Sequence, residues 1–316
     1  MSSDGSAPTT QQALITARQV AGRDICLLTL QAENGAPLPE AMPGAHIDLH
    51  LPDGRSRQYS LLSCAPYTIA IKAVRDGRGA SQWLHDTLKV GDTIRIGMPR
   101  NNFALREGAT DTVLLAGGIG ITALLCMYDA LIAEGRTVCL HYWARSVEET
   151  FLHAQLSSRP GLHIHSCGGR VTSMAAVMAE HGPEADLYCC GPTRMLAEFT
   201  ALTQGRNPQR LHIERFSADS TTLPETTDNG FSVQLARSGT TIAVGKDQSI
   251  LEALTEAGVD IEYSCEEGLC GACEARVLDG TPLHRDSIRT PDEHDQRRTI
   301  MLCVSRARSG ILVLDL

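Results

Sequence analysis

Three cysteines fall within nine residues of YSCEEGLCGAC, residues 263–273. Cys265, Cys270 and Cys273 are separated by four and two residues, and Cys303 follows after a gap of 29. A C-x4-C-x2-C…C order suits a [2Fe–2S] centre. Two ferric ions bridged by sulfide need four thiolates on a tight loop. Gly268, Gly271 and Ala272 are small enough to let the backbone curl round such a group and aim N–H groups at sulfur. Those hydrogen bonds, with charge and solvent exposure, tune the potential. A structural zinc site competes with this reading. Zinc knuckles usually pair two CxxC units, and only one is present here.

A second set of residues suits a phosphorylated aromatic cofactor. RQYSL (57–61) places Arg57, Gln58, Tyr59 and Ser60 in sequence. An arginine clamps phosphate bidentately, a tyrosine ring lies against a planar ring system, and a serine hydroxyl donates or accepts at its edge. Taken alone, these are also ordinary strand residues. AVRDGRGAS (73–81) adds glycines, two arginines and a serine ahead of the helical stretch SQWLHDTL. That helix would aim its N-terminus at a bound phosphate, although a solvated turn has the same composition.

A third set suits a dinucleotide. LLAGGIGITALL runs from an apolar strand into a helix, with Gly117, Gly118 and Gly120 at the turn. Glycines allow close backbone approach, and the helix start suits a pyrophosphate. The GxGxxG fingerprint is absent, and a plain strand–helix turn remains open. YCCGPTRML ends another strand at Gly191 and Pro192, beside Cys190.

The elements that must position these groups form three blocks. Up to about residue 108 the chain reads as short strands broken by Gly, Pro and Asp, the spacing of a small antiparallel barrel or sandwich. Strands and helices then alternate, predicting a parallel sheet covered on both faces. Residues 217–230 are polar, with Pro and Gly, and read as a linker. The last 87 residues form a compact unit of strands, one helix and the cysteine loop.

Composition bounds the rest. The chain has 316 residues, a hydrophobic share of 42% and a formal charge of −9. Nothing suggests nucleic-acid binding, which usually needs a basic face. No apolar run of about 18 residues suggests a membrane span, and the polar start lacks a signal pattern. A soluble, cytoplasmic protein is expected. Eleven cysteines form no even disulfide framework; Cys26, Cys126 and Cys139 lie in apolar runs and read as buried thiols.

The closing segment, carried by YSCEEGLCGAC and MLCVSRA, resembles a plant-type ferredoxin domain. RQYS, GGIGIT and CGP, in that order, resemble the ferredoxin–NADP reductase superfamily. With the ferredoxin last, residues from about 10 to 316 are similar to the phthalate dioxygenase reductase family, which includes the reductase subunit of vanillate O-demethylase. The resemblance implies an antiparallel β-barrel FMN domain (1–108), an α/β parallel-sheet NAD domain (109–217), a linker (218–229) and an α+β β-grasp [2Fe–2S] ferredoxin domain (230–316). It implies Cys265, Cys270, Cys273 and Cys303 as cluster ligands. Arg57, Gln58, Tyr59, Ser60, Ala73, Val74, Arg75, Gly79 and Ser81 would hold flavin, with Thr122 and Phe216 near it. Gly117, Gly118 and Gly120 would take the pyrophosphate and Arg145 and Ser146 the adenosine ribose. Cys190, Gly191 and Pro192 would border the nicotinamide, with Ser60 and Cys190 closest to the reacting atoms. The family usually has proline where Ala123 stands, and the doublet Cys189–Cys190 adds a thiol without a role.

The implied activity is that of an NADH-dependent reductase that passes electrons singly to the terminal oxygenase of a Rieske non-haem iron system acting on an aromatic acid or aryl ether.

 A haem-thiolate monooxygenase as acceptor is the near alternative. A non-catalytic iron–sulfur redox sensor is the alternative of another class, and it would need no nicotinamide site. The reductase is expected to be monomeric on its own. From Asp247 to Glu274 the chain carries eight acidic residues and no lysine or arginine. That run is either a solvated helix face or an acidic docking surface for a basic acceptor.

Overall fold

The computed structural model describes residues 10–75, 79–147, 149–166, 172–216, 230–289 and 291–316. The linker expected at 218–229 lies outside them. The chain divides into two compact units, Met1–Glu214 and Arg215–Leu316.

The first unit begins with a closed antiparallel barrel. Its strands are β1 (Thr10–Gly22), β2 (Ile25–Ala32), β3 (His46–His50), β4 (Ser56–Cys64), β5 (Tyr67–Lys72) and β6 (Thr93–Gly97), in the order β1-β2-β5-β4-β3-β6. Alternation along the strands sends Ile15, Leu28, Leu30, Ile47, Leu49, Ile69 and Ile96 inward. Helix α1 (Ala80–Thr87) closes one side through Leu84. Closure pairs the edge strands β1 and β6 and leaves no free edge.

A parallel sheet follows in the same unit. It contains β7 (Thr112–Gly117), β8 (Val138–Ala144), β9 (Leu162–Ser166), β10 (Asp186–Cys190) and β11 (Leu211–Glu214), in the order β11-β10-β7-β8-β9. Helix α2 (Ile121–Ala133) covers one face. Helices α3 (His153–Leu156), α4 (Met174–Ala179) and α5 (Thr193–Leu202) complete the domain, with α4 and α5 packed on Val113, Leu115, Leu187 and Cys189 of the other face. The chain steps outward from β7 to β9 and returns to β10 on the other side of β7. The strand order therefore reverses between β7 and β10, where α/β sheets open a crevice.

Barrel and sheet share one core. Leu62 of β4 and Ala70 of β5 pack with Leu124, Leu125 and Tyr128 of α2. The connection between them is pinned by Arg106, whose Nη2 donates to Asp186 Oδ2 at 2.8 Å; Asp186 is fully buried. Arg210 supplies a second guanidinium to the same carboxylate at 3.2 Å.

The second unit holds a five-stranded sheet of β12 (Phe231–Leu235), β13 (Thr241–Val244), β14 (Glu274–Asp279), β16 (Thr299–Met301) and β18 (Ile311–Leu314), ordered β13-β12-β18-β14-β16. Helix α6 (Ile250–Glu256) packs Ile250, Leu251 and Leu254 onto it. Ser249 and Glu252 form a capping box that fixes where α6 starts. A small sheet of β15 (Pro282–Leu283) and β17 (Arg306–Ala307), with helix α7 (Pro291–Arg297), frames the cysteine loop. No described helix is long and apolar enough to cross a membrane.

Of the three thiols read as core residues, Cys26 and Cys126 are buried. Cys139 is only half-buried, and its Sγ lies 3.1 Å from His141 Nε2.

Candidate functional site

The cysteine loop is built by backbone that few residues adopt. Glu266, Gly268 and Gly271 all have positive φ, at 56°, 69° and 76°. Gly268 is fixed for a second reason: a Cβ there would lie 2.7 Å from Val304 Cγ2 and 2.9 Å from Asp286 Cα. The curled backbone aims amides at sulfur. Glu267 and Leu269 donate N–H groups to Cys265 Sγ at 3.3 and 3.4 Å, and Ala272 donates to Cys270 Sγ at 3.3 Å. The sulfurs neighbour one another across the loop: Cys265 meets Cys270 and Cys303, and Cys273 meets Cys303. Cys270 and Cys273 are buried, while Cys265 and Cys303 are half-buried. Four convergent thiols with amide donors fit a thiolate-held cluster.

Behind the loop, Arg289 grips Glu274 with two bonds, Nε to Oε1 at 2.9 Å and Nη2 to Oε2 at 2.7 Å. Thr299 donates to the same carboxylate. Burial opposes ionisation of Glu274, but these bonds hold its carboxyl below the usual range.

In the first unit, β4 carries Arg57, Gln58 and Tyr59 half-buried and Ser60 buried. Period-two alternation puts Arg57 and Tyr59 on one face and Gln58 and Ser60 on the other. Gln58 Nε2 is buried with no protein partner. An unpaired buried amide suits a ligand carbonyl at this position. The Tyr59 hydroxyl is pushed well above its ordinary value by burial, with Arg57 opposing, so the ring stays neutral. Val74 N–H donates to Ser81 Oγ at 3.2 Å, which ties residues 73–75 to the start of α1. Ala73 is held through its N–H on Asp24 O at 2.8 Å. Gly79, at φ 81°, caps that helix, and Arg75 is exposed on a 3.3 Å contact with Asp24.

Two turns meet at the reversal point of the parallel sheet. A Cβ on Gly120 would lie 2.3 Å from Cys190 O, and one on Gly191 would lie 3.1 Å from Gly117 Cα. Only glycines permit this approach of the loops ending β7 and β10. Gly118, at φ 53°, has no atom within 4 Å of a notional Cβ and opens outward. Pro192 starts α5. Thr122 is buried, and its hydroxyl donates to Ile119 O at 2.9 Å. Helix α2, which begins beside these turns, also packs against β4. The barrel strand and the sheet edge are thus joined by one helix. Arg145 is exposed just after β8, while Ser146 Oγ accepts from Glu149 N–H at 3.3 Å. Phe216 is 45% exposed and belongs to the second unit.

The cysteine doublet separates by face. Cys189 lies in the core under α4 and α5, and Cys190 in the core under α2. Opposite Cys190 in register stands Glu214 of β11, a residue the sequence reading missed. Its Oε2 is buried without a partner, and burial pushes its carboxyl up to about 8. Burial first, and Glu214 second, push the Cys190 thiol up. The signal was present in HIERF, whose charged residue ends a strand beside CGP.

Residues 233–308 match the family model of the 2Fe-2S iron-sulfur cluster binding domain. The chain is 40% identical over 309 residues to the 3-chlorobenzoate-3,4-dioxygenase reductase subunit of Comamonas testosteroni, covering 96% of each. It is 37% identical to phthalate dioxygenase reductase of Burkholderia cepacia, again covering 96% of each. The chain belongs to the phthalate dioxygenase reductase family. A solved phthalate dioxygenase reductase, described as a modular structure for electron transfer from pyridine nucleotides to [2Fe–2S], matches with a TM-score of 0.70 at 36% identity over 97% of this chain and 98% of that one. A type IV self-sufficient cytochrome P450 monooxygenase matches with a TM-score of 0.89 at 36% identity. That match takes in 97% of this chain and 41% of the other, so this chain spans about two fifths of its length. Within the phthalate dioxygenase reductase family the chain is an oxidoreductase, and its four-cysteine loop belongs to a [2Fe–2S] domain rather than to a zinc knuckle.

Proposed function

We propose that this reductase takes electron pairs from NADH at the sheet edge and passes them singly, through FMN on the barrel and the [2Fe–2S] centre, to the oxygenase component of an aromatic-ring oxygenase or O-demethylase. The observation that carries the reading is the joining of β4 to the β7–β10 edge by α2, in a chain that also carries the four-cysteine loop. Bound FMN would exchange electrons in pairs on one side and singly on the other, which is the conversion a nicotinamide and an iron–sulfur centre require.

The chain's own part is orientation. Arg57 and the start of α1, with Arg75, Gly79 and Ser81, would hold the phosphate. Tyr59 would lie along the ring system, and Gln58, Ser60, Ala73 and Val74 would pair with its polar edge. Thr122 would face it from the nucleotide side. Gly117, Gly118 and Gly120 would admit the pyrophosphate, with Arg145 and Ser146 at the ribose. Cys190, Gly191, Pro192 and the neutral Glu214 would form the wall at the nicotinamide, in a water-poor pocket that fixes the ring. The working division would follow 1–108, 109–217 and 230–316. Relatives named as a 3-chlorobenzoate-3,4-dioxygenase reductase subunit, a phthalate dioxygenase reductase and a vanillate O-demethylase oxidoreductase support an oxygenase component as acceptor.

The similarity to the self-sufficient P450 favours a second reading, a haem-thiolate acceptor on a separate chain. The deciding experiment mixes the purified reductase and NADH with a Rieske oxygenase component and, separately, with a haem-thiolate protein. Fast reduction of the Rieske centre supports the first reading. Fast reduction of the haem protein alone replaces it with the second, and reduction of neither contradicts both.

A further inference from the structure

The face of the parallel sheet that lies under α4 and α5 is apolar on β7 and β10, where it carries Val113, Leu115, Leu187 and Cys189. It changes character on β8 and β9. Trp143 packs on that apolar cluster, so period-two alternation puts Cys139 and His141 on the same face. His163 of β9 stands directly opposite His141 in the parallel register, and His165 opposite Trp143. A thiol and three imidazoles therefore share one patch on β8 and β9.

We propose that Cys139, His141 and His163 form a divalent transition-metal site, with zinc as the ion, and that His165 orients His141 within it. One ligand atom from each of the three lies within 4.8 Å of the others, and Cys139 Sγ is 3.1 Å from His141 Nε2. Zinc bonds of about 2.3 Å to sulfur and about 2.0 Å to nitrogen place tetrahedral donors roughly 3.3–3.6 Å apart. The observed spacings bracket that edge, so small side-chain rotations close the site. On the other side of the ring, His141 Nδ1 is 3.1 Å from His165 Nε2. A proton on Nδ1, donated to His165, leaves the Nε2 lone pair turned toward the thiol, which is the tautomer a metal needs.

The donor set selects the ion. One thiolate and two imidazoles without a carboxylate suit zinc over calcium or magnesium. His163 is exposed while His141 and His165 are each only 6% exposed, so solvent supplies the fourth ligand from the His163 side. Binding releases one proton, that of the Cys139 thiol, and changes no oxidation state. Ligands on both strands would brace β9, the outer strand of the sheet, against β8.

The test uses the full chain loaded with flavin and iron, equilibrated with one equivalent of zinc and desalted. The expected result is about one zinc per chain with the iron content unchanged, and zinc X-ray absorption showing one sulfur with nitrogen or oxygen neighbours. In competition with a chromophoric chelator, Cys139→Ala and His163→Ala each weaken binding at least about tenfold, with NADH oxidation unchanged. Three results overturn the proposal: no retained zinc, an all-sulfur shell with iron lost, or wild-type affinity in both variants. The absorption measurement needs no variant to fold.

Discussion

Cys190 and Glu214 face each other on adjacent parallel strands, at the carboxyl edge where the sheet's strand order reverses. The thiol and the carboxyl are both pushed up by burial, so the wall they form is uncharged at neutral pH. The folded value of Glu214 is about 8, against an ordinary 4.5. The folded chain therefore keeps a proton that the unfolded chain releases between those values. The stability from that proton is complete below about pH 4.5 and is lost as pH rises through about 8. Glu214→Gln removes the titration. Thermal midpoints should fall more steeply in the wild type than in the variant between pH 6 and about 9, by the equivalent of a few kcal/mol. Parallel profiles would show that Glu214 titrates normally.

The contact between the β7 and β10 turns leaves no room for a methyl group. Gly120→Ala places Cβ 2.3 Å from Cys190 O, against backbone rather than a movable side chain. Overpacking of this kind costs about 1–3 kcal/mol. Pushing the turns apart should lower kcat/KM for NADH about 10- to 100-fold. Steady-state reduction of ferricyanide measures this; an unchanged kcat/KM would mean that the turns do not shape the nucleotide site.

Arg289 and Glu274 form a bidentate pair directly after Cys273, with the arginine side chain only 9% exposed. Removing one partner leaves a charge without its counterion, which costs about 3 kcal/mol or more. Arg289→Ala should lower the temperature at which the cluster's visible absorption is lost. The double variant Glu274→Gln with Arg289→Met should recover part of the loss, because no unpaired charge remains. Equal melting of the single variant and the wild type would place the pair outside the support of the loop.

Asp247, Glu252, Glu256, Asp260, Glu262 and Glu266 are exposed on and around α6 and the cysteine loop. If they steer a basic acceptor, electron transfer to it slows as ionic strength rises past about 0.1 M, where the screening length is about 10 Å. Stopped-flow rates at several salt concentrations check this. A flat profile leaves these residues as a solvated surface.

Much of this arrangement was legible in the order of residues. The C-x4-C-x2-C…C spacing located the cysteine loop because ligand geometry is local. The long apolar runs of β7 and α2 announced a strand and a helix through their own periodicity. The misses have a common physical cause, which is pairing between distant segments. β15 and β17 have two residues each, too few to show any period, and exist only through each other. Glu214 became interesting only once β11 was placed beside β10. The doublet Cys189–Cys190 gained meaning once alternation sent its two thiols to opposite cores. Cys139 looked apolar because its neighbours in sequence are, while strand alternation sets its thiol beside His141 on the same face.

The central claim is that a two-electron donor and a one-electron carrier are coupled through flavin on this chain. Anaerobic titration of the purified protein with NADH, followed by visible absorption, tests it most directly. A flavin taking two electrons and a [2Fe–2S] centre taking one require three, or about 1.5 equivalents of NADH, for full bleaching. Bleaching of both chromophores near that end-point is the result expected. A chain that, after reconstitution with iron, sulfide and FMN, bleaches neither chromophore with NADH would contradict it.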